Sequence, residues 1–206
     1  RALPSRVMTL QEVREGPLSS TIGRIVSSDE MLDDVNKWAD YLGLGYTLKV
    51  QHMDLAAFQD SFVLIAHDEK TGADCTLQDI GYGVSQVLPV ITAAVAGFNS
   101  LVLMQQPELH LHPRLQSRVT DVFLNGIGQD NQFLVETHSE HLVYRLQRRI
   151  REGLPASNVA INWIYRDEDG SHCYLIRLDE DGDFVDEWPG GIFDDGFDDV
   201  IAGADG

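Results

Sequence analysis

The sequence predicts an α/β protein with a mostly parallel sheet flanked by helices and an antiparallel edge near the N-terminus. Two short apolar runs, LVLMQ at 101–105 and QFLVE at 132–136, have the length and composition of fully buried parallel strands. A helical pattern follows each run, and this order is typical of parallel sheets with right-handed crossovers. Polar residues end both runs, which indicates a site at the carboxyl edge of the sheet.

The segments around this centre add helices and antiparallel strands. Residues 18–28 show little periodicity and predict a loop with short extended pieces. Asp29 is the expected N-cap of a helix that stops at Gly43 and Gly45. Further strands are predicted at 47–55, 61–68, 75–78, 159–165 and 172–178. A helix is predicted after Ser85, with Pro89 in its first turn. Two more helices are predicted from Pro113 to about Asn125 and from about Glu140 to Glu152.

Composition limits the classes of partner. The chain has 206 residues and a net charge of −18, from 33 acidic and 15 basic residues, which argues against nucleic-acid binding through bulk charge. No apolar run approaches the ~18 residues of a membrane helix, so we expect a cytoplasmic protein without a membrane partner. Cys75 and Cys173 lie far apart without a CxxC pattern, so we expect reduced, structural thiols. The chain begins with Arg1 rather than Met, which suggests an excised or processed fragment.

Charge is also distributed unevenly along the chain. Arg145, Arg148, Arg149 and Arg151 are expected to form a solvated helix end near the negative pole of the helix dipole. Ten acidic and no basic residues lie between 179 and 199, which predicts a solvated face. The segment from Trp188 to Asp194 favours a tail that packs over the sheet rather than a cofactor-binding segment.

One candidate site is a glycine-containing turn. The segment DIGYGVSQVLP at 79–89 places Gly81 and Gly83 before Ser85, Gln86 and an apolar helix. Glycines permit close backbone approach to a ligand, and a helix N-terminus offers N–H groups to an anion. A plain turn with a helix cap explains the same pattern.

The second candidate site follows the strands. Glu108, His110 and His112 have the donor types of a metal site, but a turn into the helix at Pro113, with His112 near the N-cap, is the favoured interpretation. A second set of metal-ligating types is formed by Glu136, His138 and His141.

Three segments, in this order and spacing, resemble the C-terminal half of ABC-type ATPases. The resemblance is to prokaryotic AAA family ATPases akin to the overcoming-lysogenization-defect (OLD) and chromosome-maintenance ATPases, and it implies a P-loop NTPase of ABC type over roughly residues 30–195. EWPGGIFD at 187–194 resembles a C-terminal domain of unknown function in one branch. The matching segments are the signature at 79–89, the Walker B strand and D-loop at 101–113, and the switch-histidine segment FLVETHSEHL at 133–142.

The resemblance implies ATP and Mg²⁺ as cofactors and a role for each residue. Gln105 takes the Walker B position on the Mg²⁺ side, Gln106 the position that polarises the attacking water, and His138 senses the γ-phosphate. Glu108 either takes over water or metal contact or holds the D-loop. The residues implied in ATP binding, in part across a protomer interface, are Gly81, Gly83, Ser85, Gln86 and His112.

The chain departs from the family pattern in two places. Both Walker B positions are amides, and an amide binds Mg²⁺ weakly and cannot act as a general base. Gln at 105 is unusual in this branch, and a natural or engineered change of acid to amide would slow hydrolysis and hold ATP. The phosphate loop GxxxxGK[ST] is also missing, because none of the three lysines follows a glycine. Either another segment or chain supplies it, or this chain cannot bind ATP alone.

These observations predict three parts: a partial ATPase lobe at 1–78, an ATPase core at 79–165 and an acidic tail domain at 166–206. The implied function is an ATP-binding and ATP-hydrolysing head that forms a head-to-tail homodimer or higher oligomer. It would regulate an effector such as a nuclease, in anti-phage defence or DNA maintenance, with nucleic acid reached through partners. The alternative is a hydrolysis-deficient scaffold head. An OLD-type nuclease would need a Toprim domain after His138, where VAINWIY occurs instead.

Overall fold

A computed structural model describes residues 8–9, 21–55, 58–77, 79–96, 101–128 and 131–188. Contacts divide the chain into two compact units, residues 1–139 and residues 140–206. This single boundary differs from the predicted division at 78 and 165, which stays a prediction. No helix among the described residues is long and apolar enough to cross a membrane.

The first unit contains an antiparallel sheet centred on β3 (Phe58–Asp68). It pairs along its length with β2 (Tyr46–Leu55), and its other edge pairs with β1 (Met8–Thr9) and β4 (Asp74–Thr76). The predicted antiparallel edge is therefore confirmed. Residues 21–25, predicted as loop, instead form the short helix α1 (Thr21–Ile25), and Ile25 is fully buried.

Helix α2 (Asp29–Leu42) connects the helical layer to this sheet. Ser28, not the predicted Asp29, is its N-cap, because the Ser28 hydroxyl accepts a hydrogen bond from the Met31 N–H. Gly43 ends the helix with φ 73°, as predicted. The Asn36 amide donates to the Leu48 carbonyl and accepts from the Leu48 N–H, which joins α2 to β2.

Helix α3 (Tyr82–Ala96) begins earlier than predicted. Gly83 and Ser85 therefore lie in its first turn, and Pro89 lies inside the helix rather than in the first turn. Val87 and Ile91 are fully buried, and α3 packs against α1, α2 and the next helix.

The two apolar runs form a parallel pair, β5 (Leu101–Gln105) and β6 (Gln132–Glu136), as predicted. The prediction that both strands are fully buried is wrong. Leu101, Leu103 and Leu134 are more than 60% exposed, because the residues that the structure describes cover only one face of this pair. That covered face contacts α3 and α4 (Pro113–Ile127), which starts at the predicted proline.

Gly126 allows α4 to approach both the sheet and α3. A Cβ atom on Gly126 would lie 2.5 Å from the Phe133 ring and 2.9 Å from the Ala94 carbonyl oxygen. Such distances do not occur in real structures, so only glycine permits this packing. The Phe133 ring also packs against Phe123, with 5.5 Å between ring centroids.

The second unit consists of α5 (Glu140–Arg151), a single 3₁₀ turn (Ala156–Asn158) and a hairpin of β7 (Ile161–Asp167) and β8 (Gly170–Ile176). Trp188 packs edge-on against Trp163 of β7, which agrees with the expected packing tail at this residue. Residues 189–194 of that prediction lie outside the described residues. Cys173 of β8 and Cys75 of the first unit are both free thiols.

Three arginines of α5 make ion pairs within their own unit. Arg148 and Arg149 both pair with Glu152, and Arg151 donates to the Asp183 carboxylate at 2.5 Å and to the Asp181 carbonyl at 2.9 Å. The basic cluster is thus a helix end that also holds the loop after β8.

Asp186 is tied to Arg177 by three hydrogen bonds, from the guanidinium at 2.6 and 2.9 Å and from the Arg177 N–H at 2.8 Å. The side-chain bonds, followed by the backbone bond, lower the pKa of Asp186 to about 2.

We expect Gly126→Ala to destabilise the protein by about 1–3 kcal/mol, because the added methyl group overpacks the contact with Phe133. Urea unfolding followed by circular dichroism measures the change. Gly128→Ala is the matched control, since a Cβ there meets only the Asn125 carbonyl oxygen at 3.3 Å, and φ is −62°. Equal stability of the two variants would contradict the packing described.

We expect Asp186 to make folding sensitive to acid. Its folded pKa, about 2, lies below the ordinary 3.8, so its contribution is present above pH 3.8 and lost as pH falls towards 2. Unfolding midpoints measured between pH 5 and pH 2 should fall less steeply for Asp186→Asn than for the unmodified protein. Glu168→Gln, which removes an exposed carboxyl group of the hairpin turn, is the control.

Candidate functional site

The polar ends of β5 and β6 lie side by side. Gln105 is in register with Glu136, and the Gln106 N–H donates to the Glu136 carbonyl at 2.7 Å, which extends the parallel ladder by one bond. His138 follows two residues after Glu136 and is exposed. The structure therefore brings the predicted Walker B and switch positions to one edge of the sheet.

The loop after β5 has an unusual backbone. Gln106 and His110 have φ of 46° and 64°, the left-handed region that non-glycine residues rarely adopt. Backbone bonds from the Leu109 N–H to the Gln106 carbonyl and from the Leu111 N–H to the Glu108 carbonyl, both 3.0 Å, close two successive turns. Strain of this kind persists only where other contacts hold the loop.

Glu108 provides such a contact. Its side chain is only 6% exposed, and its Oε1 atom accepts hydrogen bonds from the Thr137 hydroxyl at 2.6 Å and from the His138 N–H at 3.2 Å. The Thr137 hydroxyl in turn accepts from the Ser139 N–H at 3.0 Å. Glu108 thus joins the loop after β5 to the segment that carries His138.

The second Glu108 oxygen, Oε2, is buried and has no hydrogen-bond partner among the described residues. A buried acceptor without a partner has lost its water without compensation, which is costly. Of the two roles that the sequence left open for Glu108, the geometry favours the structural one, because Oε1 is fully engaged inside the protein.

The glycine turn lies against the same loop. A Cβ atom on Gly83 would lie 2.9 Å from the His110 carbonyl oxygen, so the close approach that glycine permits here is to protein backbone. The N–H groups of Val84 and Ser85 donate to the Gly81 carbonyl, and Ser85 is 3% exposed. Ser85 is therefore buried within this chain, whereas Gln86 is half-buried, and the predicted contact of both residues with ATP stays a prediction.

His112 caps α4, as the favoured interpretation expected. Its Nδ1 atom accepts from the Arg114 N–H at 3.3 Å, and its carbonyl accepts from the Leu115 N–H at 2.7 Å. Neither histidine set forms a metal cluster: in the described parts of the chain, no three His, Cys, Asp or Glu side chains gather as metal ligands.

Comparison with known families decides the relationship. A model of the family described as "AAA domain, putative AbiEii toxin, Type IV TA system" matches residues 14–143, more than half of the chain. The chain belongs to this AAA domain family. No curated protein sequence matches it significantly.

Two solved structures show the fold of this AAA domain. A structure titled "Crystal structure of the SmcHead bound to the C-winged helix domain of ScpA" is 10% identical, with a TM-score of 0.54. It covers 83% of this chain, whereas this chain spans only 54% of its length. A second, titled "Structural biochemistry of ATP-driven dimerization and DNA stimulated activation of SMC ATPases", is 12% identical, with a TM-score of 0.50, and covers 76% of this chain and 89% of that one. The fold is therefore that of a P-loop NTPase head, as predicted.

Sequence reasoning missed two residues of this edge in the AAA domain. Thr137 gave no signal, since a threonine after a strand is common, and its bond to Glu108 spans 29 positions. The sequence pattern indicates Glu136 only as part of a metal-ligating set with His138 and His141. Its position beside Gln105 depends on strand register. Pairing residues 101–105 with residues 132–136 in parallel would place the two side chains together.

We expect Glu108→Ala to destabilise the AAA domain by about 1–3 kcal/mol, because the Thr137 hydroxyl and the His138 N–H lose their buried acceptor. Glu108→Gln keeps an acceptor oxygen, so its free energy of unfolding should fall clearly less than that of Glu108→Ala. Urea unfolding compares the two variants. A Glu108→Gln loss as large as that of Glu108→Ala would show that the Oε1 contacts are not what holds this loop.

Proposed function

We propose that this AAA domain is the part of an ATPase head that contributes the signature, Walker B and switch segments to a nucleotide site. The observation that carries the proposal is the parallel pairing of β5 and β6, which places Gln105, Gln106 and His138 at one edge. In this arrangement Gln106 and His138 orient a water molecule near the γ-phosphate of ATP, and Gln105 lies on the Mg²⁺ side.

The polar groups at this edge are compatible with ATP and Mg²⁺. Mg²⁺ in nucleotide sites takes one or two carboxylates and completes its shell with phosphate oxygens and water. The edge offers the exposed carboxylate of Glu136 and the amide oxygen of Gln105, so a full cluster of acids is not needed. When bound, Mg²⁺ would neutralise phosphate charge.

The described residues supply only part of the proposed nucleotide site. Parallel strands are normally covered on both faces, yet Leu103 and Leu134 leave one face of β5 and β6 open. No phosphate loop occurs in the 206 residues, and the chain spans about half of the first solved head that it resembles. We therefore place the phosphate loop on another segment or chain that covers this face.

Assembly follows from the same proposal. Gly83, in the first turn of α3, lies next to the loop at His110, so the proposed signature turn and D-loop would form one surface. That surface suits a second copy of the chain, arranged head to tail around ATP, and higher oligomers could form in the same way. The assembled heads would bind an effector protein, such as a nuclease, in anti-phage defence or DNA maintenance. We further propose that residues 187–194 are part of the C-terminal domain that their sequence resembles. We also propose that the protein acts in the cytoplasm.

A hydrolysis-deficient scaffold is the second candidate function. It is favoured by the amides at both Walker B positions, since neither Gln105 nor Gln106 accepts a proton from water at neutral pH. Such a head would hold ATP, stay assembled and turn over slowly.

Turnover and assembly of the full-length protein separate the two candidates. We expect ATP, but not ADP, to shift the protein to a dimer or larger species in analytical ultracentrifugation. Gln106→Glu supplies a general base and should raise kcat by at least about tenfold if the edge is hydrolytic. Phosphate release measures this rate.

Gln132→Glu is the control, because Gln132 is exposed at the opposite end of β6. An ATP-dependent dimer whose kcat stays unchanged in Gln106→Glu would support the scaffold. Absence of ATP binding by the unmodified full-length protein would contradict both candidates.

A further inference from the structure

We infer that Glu136 supplies the Mg²⁺-side carboxylate that Gln105 lacks. This assignment deepens the proposed function and rests on it. The carboxylate lies at the end of β6 rather than at the end of its neighbour β5, so the edge carries one acidic side chain although positions 105 and 106 are amides.

Strand geometry places the two side chains together. Alternate residues of a strand point to the same face, and Gln105 and Glu136 are partners in a parallel register. Both belong to the open face of the pair, together with the exposed Leu103 and Leu134. The Gln105 amide nitrogen donates to the Glu136 Oε1 atom at 3.4 Å, a long hydrogen bond that a stronger ligand can replace.

Neighbouring strands lie about 4.8 Å apart, so a carboxylate at 136 can reach almost the same space as one at 105. The backbone bond from the Gln106 N–H to the Glu136 carbonyl, 2.7 Å, fixes the relative position of the two strand ends. The side chain of Glu136 remains exposed and has no buried contact to give up on binding a cation.

Glu108 does not fill this role. It is the nearest carboxylate in sequence, but it is 6% exposed and its Oε1 atom already accepts from Thr137 and His138. Binding a cation through Oε1 would break those bonds, and the other oxygen, Oε2, is itself buried. Glu136 is exposed on the open face, whereas Glu108 is buried and joins the loop after β5 to Thr137 and His138.

The assignment separates Mg²⁺ binding from hydrolysis. The Glu136 carboxylate beside the Gln105 side-chain amide gives the edge one charged oxygen ligand and one neutral polar group, which suits a cation that also takes phosphate oxygens. Gln106 on the water side remains an amide, so it orients water without taking its proton. The edge is therefore built to make ATP binding depend on Mg²⁺ while keeping turnover slow.

The test measures ATP affinity of the full-length protein by calorimetry in Mg²⁺ and in EDTA, and Mn²⁺ binding with ATP by electron paramagnetic resonance. In the unmodified protein, Mg²⁺ should strengthen ATP binding. Glu136→Gln should weaken this Mg²⁺-dependent gain by about tenfold or more and leave affinity in EDTA unchanged. Adding Gln105→Glu to Glu136→Gln should restore the gain, because the acid returns to the neighbouring strand end.

Glu140→Gln, which removes a carboxylate four residues further on, is the control and should behave as the unmodified protein. Retention of full Mg²⁺ dependence and Mn²⁺ binding by Glu136→Gln overturns the assignment while the proposed function stands. The assignment is also overturned if the variant with both Gln105→Glu and Glu136→Gln has the unfolding midpoint of the unmodified protein but does not regain cation binding. If the unmodified protein binds no ATP in either condition, the proposed function fails, and this assignment fails with it.

Discussion

The arrangement of the candidate site depends on one buried carboxylate. Through Oε1, Glu108 holds Thr137 and the His138 N–H, and so connects the end of β6 to the loop that follows β5. That loop contains two residues with left-handed backbone and also supports the close approach of Gly83 at His110. The glycine turn at Gly83, the end of β5 and the segment that carries His138 are therefore parts of one connected structure, although they are distant in sequence.

The helical layer behind the sheet gives this structure a rigid base. Gly126 lets α4 lie against Phe133 and α3, and Asn36 joins α2 to the antiparallel sheet through Leu48. Tyr41 of α2 donates to the buried Asp121 of α4, and the Arg118 guanidinium donates to the Tyr41 carbonyl at 2.9 Å. Helices α3 and α4 contact one face of β5 and β6, and the described residues leave Leu103 and Leu134 on the other face exposed.

The distribution of charge on that edge gives the site its chemical character. Amides occupy positions 105 and 106, but the neighbouring strand carries an exposed carboxylate, Glu136, in register with Gln105. A site of this kind can attract a cation and phosphate without an efficient base for water. Binding and assembly would then be the main uses of ATP, and hydrolysis a slow step that ends them, which reconciles the ATPase fold with the missing acids.

The sequence by itself determined the strand–helix order, the parallel pair, the helix after Pro113 and the amides at 105 and 106, because all of these depend on local pattern and residue type. It misplaced the cap of α2 and the start of α3 by a few residues, because neighbouring residues compete as caps. Only the tertiary structure decided that Glu108 is buried, that Gly83 meets His110 and that Glu136 lies beside Gln105. The last of these contacts joins residues 31 positions apart. The physical reason is that strand register and loop closure, not local propensity, bring such side chains together.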